Sequence, residues 1–209
     1  MWSLLSQAAG FGVVAGTSIG PLHTLLLNVT LAYGWRTGLM IVLSPLATDI
    51  PIILVMLLLL SQLPPAFGPT LSVLGAFAVF YIAFRTARDL MHASPSAVVA
   101  ASAPPSRQML VRGMMLNFLN PAPYIFWGTI TGPLLREALA ESWGGALLFL
   151  VAFYVPFLGL MLGFMVIFDR VRRLDPRITR AISLFSVALM TVLGVSLLAQ
   201  GIQGFAALS

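Results

Sequence analysis

The stretches GTSIGPLHTLLLN (residues 16–28) and FLNPAPYIFW (residues 118–127) decide how this chain folds. Each sets a proline inside an apolar run, as Gly20-Pro21 and as Asn120-Pro121, 100 residues apart. A proline deletes a backbone donor and disrupts the bond to the carbonyl four residues earlier. In hydrocarbon the freed carbonyls must find partners or line a cavity. Interrupted helices offer N-terminal N–H groups to a carboxylate and C-terminal carbonyls to a cation. Paired interruptions in matching spans point to a transporter binding site. The pairing carries one mismatch, unless the fourth helix begins before Gly113. Asn120 lies about 7 residues into its apolar stretch, whereas Gly20 lies about 16 into the first.

Around these two segments the chain is apolar throughout. A transmembrane helix needs roughly 20 mostly apolar residues. Six stretches qualify: Leu4–Leu31, Gly38–Leu60, Leu71–Tyr81 extending toward Ala87, Gly113–Leu134, Ala146–Phe168 and Ala181–Ile202. Their connectors alternate in charge. The first, third and fifth hold ten of the eleven Arg, and the opposite side holds only Arg136. The positive-inside rule then puts these three connectors in the cytoplasm and both termini outside. The longest connector, Met91–Gln108, is rich in Ala, Ser and Pro and reads as a cytoplasmic linker. It separates a first three-helix unit (1–90) from a second (109–209). Three spans per unit force the second to insert upside down relative to the first, the layout of inverted-repeat transporters.

Composition supports an all-α integral membrane protein. Mean hydropathy is +1.00 over 209 residues, 59% are hydrophobic and 8% are charged, against about 25% charged in soluble domains. The net charge of +5 does not make a nucleic-acid binder, because there is no Lys and the Arg sit between apolar runs. The absence of Cys excludes disulfides, thiolate metal sites and dithiol chemistry. No Arg precedes Arg36, so a secretory signal's positive n-region is missing and the first apolar segment is expected to be retained.

Inside the spans, Asp49 stands out. It lies 13 residues beyond Arg36, roughly 20 Å along a helix, and Pro45 and Pro51 flank it. A charge near mid-membrane costs roughly 2.5–3.5 kcal/mol on insertion scales. Asp49 is therefore a candidate proton carrier or a counter-charge for a cation. His23 can relay protons, bond Asp49 or simply pack. Thr17, Ser18, Thr24 and Asn28 add polar groups to the first span, and Asn117 and Asn120 to the fourth. Tyr124 and Trp127 follow at helical spacing, where an aromatic either stacks on a substrate amine or packs. Tyr154 and Pro156 are a weaker feature of the fifth span. Gly12, Gly16 and Gly20, and again Gly159 and Gly163, recur every four residues and suit close helix approach, permitting a homodimer. Arg136, Glu137 and Glu141 read as a solvated helical turn, and His92 carries no assigned role.

The segments GTSIGP (16–21), AYGWRTGL (32–39), ATD (47–49) and FLNPAPYIFW (118–127) together resemble the LysE/RhtB superfamily of amino-acid exporters. The resemblance implies a six-helix inverted-repeat exporter in a prokaryotic cytoplasmic membrane, driven by the proton motive force. It also implies that an intramembrane Asp like Asp49 is typical of the lysine/arginine-exporting branch. Two positions depart from the pattern. Leu22-His23 stands where many members carry Asn or Gln after Gly-Pro, and Ala122 stands where many carry Lys. The expected function is export of amino acids or related small zwitterions, with protons and the bilayer as partners and no cofactor, metal or catalytic residue. The candidate substrate-binding residues are Gly20, Pro21, His23, Asn28, Asn120, Pro121 and Tyr124, with Asp49 coupling protons. A divalent cation exporter is the alternative in the same superfamily, although one intramembrane carboxylate and two His make a poor metal cage. A non-transporting membrane scaffold is another. A membrane enzyme fits less well, because no second intramembrane Asp and no Gly-x-Ser-x-Gly motif occurs.

Overall fold

The structure is a computed structural model that describes residues 1–59, 64–92, 105–173 and 176–208; most of the expected linker and the His92 side chain lie outside them. Every described element is helical. The first apolar stretch is two helices, α1 (Trp2–Thr17) and α2 (Pro21–Tyr33), bent by 58°. The bend follows from the residues between them. Ser18 and Gly20 are extended, and Pro21 opens α2 at a position that needs no N–H donor. Hydroxyls satisfy the carbonyls where α1 ends: Thr17 Oγ1 donates to Val13 O (2.9 Å) and Ser18 Oγ to Val14 O (2.7 Å).

Gly34, at φ +88°, turns the chain into α3 (Trp35–Leu59). A side chain there would be strained and would also meet the Arg172 guanidinium and the Asp169 carboxylate. Pro45 and Pro51 lie within α3. Pro45 cannot donate to Ile41 O, and the Ser44 hydroxyl does so instead (2.8 Å). Then comes α4 (Phe67–His92).

The second interruption parts α5 (Ser106–Phe118) from α6 (Pro121–Ile125), which runs through a π-helical turn (Phe126–Thr131) into α7 (Gly132–Glu141). The fourth helix thus begins at Ser106, not near Gly113. Arg107, Gln108 and Arg112 had hidden its first turns from a hydropathy reading. The correction removes the mismatch, since 13 residues of α5 precede the second break and 16 of α1 precede the first. Two long helices complete the chain, α8 (Trp143–Arg172) and α9 (Pro176–Ala206).

Among the described residues four helices are long and apolar enough to cross a membrane: 35–58, 67–88, 143–172 and 180–206. The bent α1–α2 pair makes a fifth if it counts as one span. The segment 106–141 does not meet that measure, so length and composition of the elements account for up to five of the six expected spans.

The principal packing partners are α4 with α9, α1 with α8, and α3 with α5. α2 also packs on α3 and α8, while α7 packs on α8, and the π turn and α6 on α3. Gly12 and Gly16 make the α1–α8 crossing close: a Cβ at Gly12 would meet the Phe153 carbonyl and Pro156, and one at Gly16 would meet Leu160 at 3.0 Å. Gly113 plays this part for α5 against Ser44 of α3. Gly159 and Gly163 do not. Nothing lies within 4 Å of a Cβ at either, and both are exposed, so their spacing marks no contact inside the protein.

Candidate functional site

Both interruptions open on one cavity of about 410 Å³. Gly20, Pro21 and His23 border it from the first break, and Asn120, Pro121 and Ala122 from the second. Asp49 and Asn117 border it from α3 and α5, and Phe126, Trp127, Phe153 and Phe157 form an aromatic wall. Among the described lining residues Asp49 is the only charged side chain.

Asp49 is buried, 5% exposed. Asn117 Nδ2 donates to its Oδ1 (2.9 Å) and the Tyr154 hydroxyl to its Oδ2 (2.9 Å). The side chain of Trp127 makes a further polar contact with the carboxyl group. Asn117 Nδ2 also donates to Thr48 Oγ1 (2.7 Å), which donates in turn to Ser44 O (3.1 Å). An amide NH₂ and an indole N–H can only donate. This set of partners therefore suits an ionised carboxylate. All three come from the second half of the chain, whereas Asp49 belongs to the first.

Each break is closed by a side chain from the next helix that reaches back to the helix before. His23 Nε2 bonds Gly16 O (2.9 Å), so this nitrogen carries the proton. The Tyr124 hydroxyl donates to Phe118 O (2.9 Å). Carbonyls freed by the interruptions are thereby satisfied within the protein. The N-termini differ. Asn120 caps α6 by accepting from Ala122 N (3.1 Å), while Gly20 offers α2 no side-chain cap. First-turn N–H groups have no intrahelical acceptor, so the open start of α2 lies at the cavity with its partial positive charge.

Gly20, Pro21, His23, Asp49, Asn120 and Pro121 thus meet around one space. Four expectations need correction. His23 bonds Gly16 and not Asp49. Tyr124 is 6% exposed, does not border the cavity and packs edge-on to Phe67 and Phe118. Asn28, further along α2, faces α9, where its Nδ2 lies 3.6 Å from Met190 Sδ. Arg136 is not simply solvated, because its guanidinium donates to Leu57 O at the end of α3. Tyr154 and Asn117 hold the carboxylate more directly than sequence spacing could indicate. Ser196 and Gln200 of α9 also border the cavity, and their i, i+4 spacing was the available signal.

The family model of the LysE type translocators matches residues 13–201, which takes in both breaks, Asp49 and the whole cavity lining. The chain belongs to the LysE type translocator family. No curated protein and no solved structure matches it. This translocator is an integral membrane protein of a transport family, helical in its described elements, and its long apolar helices are the candidates to cross the membrane.

Proposed function

We propose that this translocator is a secondary exporter of amino acids or related small zwitterions, coupled to inward movement of protons. It would consist of six spans in two inverted three-helix repeats, in a prokaryotic cytoplasmic membrane with both termini outside. The observation that carries the reading is the single cavity shared by two interrupted helices and a buried carboxylate. The uncapped start of α2 suits a substrate carboxylate, and Asp49 suits its ammonium group. Asp49 then couples by exclusion. Substrate ammonium neutralises it on the outward journey, and after release a proton must do so before the empty carrier returns, because a bare charge in hydrocarbon is costly.

The packing pattern supports the repeat. Exchange α1 with α5, α2 with α6–α7, α3 with α8, and α4 with α9. The α1–α8 contact then becomes α5–α3, α2–α3 becomes α7–α8, and α4–α9 maps on itself.

Asp49→Asn keeps the shape and removes the charge. In proteoliposomes with an imposed pH gradient, the variant is expected to fold, by its elution and helical content, and to lose gradient-driven export. Normal export by Asp49→Asn would remove Asp49 from the mechanism and this reading with it.

A further inference from the structure

We propose that the cavity prefers zwitterions bearing one ammonium group and a bulky apolar side chain over basic amino acids. This rests on the exporter reading above and deepens it. The first argument counts charges. Asp49 is the only charged side chain among the described lining residues, and each of its oxygens already accepts a hydrogen bond, from Asn117 and from Tyr154. A carboxylate has about four acceptor positions, and with Trp127 also in contact with this one, what remains serves one ammonium. The second cation of lysine or arginine would enter an apolar space with no anion to meet it, which is strongly disfavoured.

The second argument is the apolar wall. Val14, Ile19, Phe126, Phe153, Phe157 and Leu193 border the cavity. Phe126 leans on Phe153 at 5.8 Å, and Phe153 stacks on Phe157 at 5.7 Å, so the aromatic surface is set in place before substrate arrives. The polar groups that α9 adds, Ser196 and Gln200, are joined by a hydrogen bond from Gln200 Nε2 to Ser196 Oγ (3.2 Å), and neither supplies an anion. At about 410 Å³ the space also exceeds what glycine or serine fills. Each further CH₂ buried against such a wall strengthens binding roughly fourfold. The Asp that resemblance associates with lysine export thus stands in surroundings that recognise an apolar side chain.

The test is counterflow in proteoliposomes holding the full-length protein, comparing phenylalanine, leucine and methionine with lysine, arginine, glycine and serine. At least tenfold faster counterflow with the apolar group is the expected result. Preference for lysine or arginine, or equal rates with glycine, overturns the proposal and leaves the exporter reading standing. No counterflow with any amino acid by protein that elutes as a folded species overturns both. A gain of function supplies a second measurement. Leu193→Glu puts a second carboxylate on the wall and is expected to raise the lysine-to-leucine ratio at least tenfold relative to Leu193→Gln. An unchanged ratio counts against the charge argument.

Discussion

At the scale of single residues, the chemistry turns on how Asp49 is held. Its partners are donors set on three different elements, so a charge that hydrocarbon would reject is kept by hydrogen bonds. A hydrogen bond to a charged group contributes about 1.5–3 kcal/mol. Tyr154→Phe removes the donor at Oδ2 and leaves the ring. It is expected to lower the apparent affinity in counterflow by roughly ten- to a hundredfold while the protein stays folded. His23 behaves differently. Its proton is committed to Gly16 O, which makes it a strut across the first break. His23→Phe is expected to cost about 1 kcal/mol of stability, seen as a lower melting temperature, and to leave the ratio of protons to substrate unchanged. Asp49 and both prolines were legible in the sequence because each violates a rule of apolar helices. Tyr124 and Asn28 were misplaced because nearness in sequence to a break does not say which way a residue faces. Within α6, residues 122, 123 and 125 border the cavity, and Tyr124 between them turns toward Phe67 of α4.

At the scale of elements, α3 is gripped by the second half of the chain along its length. Asp169 Oδ1 accepts from Trp35 N (3.1 Å) at the start of α3, while Arg173 holds the other carboxylate oxygen (2.7 Å). Arg136 takes a carbonyl at the opposite end. An anion at the N-terminus and a cation at the C-terminus both complement the helix dipole. The π turn is a second device. Pro133 has no N–H and its ring would crowd the carbonyl of Thr129. The wider turn ahead of it relieves that crowding and sets Trp127 beside Asp49. Gly132 is the residue this turn requires, since a Cβ there would meet the Trp127 carbonyl. Gly132→Ala is expected to rotate Trp127 away, which its tryptophan fluorescence reports, and to lower export at least tenfold. Gly159→Ala, with nothing near its Cβ, is expected to leave fluorescence and export as they are. Sequence alone could not reveal the π turn. The Thr-Gly-Pro at 131–133 was visible, but it is equally compatible with a kink.

At the scale of the whole molecule, the segment 106–141 decides between five spans and six. Its apolar run is divided among short helices, 13 residues in α5, 5 in α6 and 10 in α7, so none alone has the length of a span, yet α5 packs along α3 much as α1 packs along α8. The first, second, third, fifth and sixth stretches were legible as apolar runs, the first of them with a proline break inside it. The fourth stretch was legible from Gly113 to Leu134 but not in its first turns, because a helix that faces protein on one side and carries Arg at its end has little need to be apolar there. If the segment crosses the membrane, Arg107 and Glu137 must lie on opposite sides. Both are exposed, and the chain has no Cys of its own. Single replacements, Arg107→Cys and Glu137→Cys, can therefore be labelled in intact cells with a membrane-impermeant thiol reagent. Glu137→Cys is expected to react from outside, and Arg107→Cys only after the cells are opened. Gln200→Cys, at the edge of the cavity near the end of α9, is expected to react on the same side as Glu137→Cys, and substrate is expected to slow it. Labelling of Arg107→Cys and Glu137→Cys from one side would make 106–141 a re-entrant segment. The second half would then lose a span, the exchange of α1 with α5 would relate two segments of unlike topology, and the alternation of two equivalent halves about one cavity would have no structural basis.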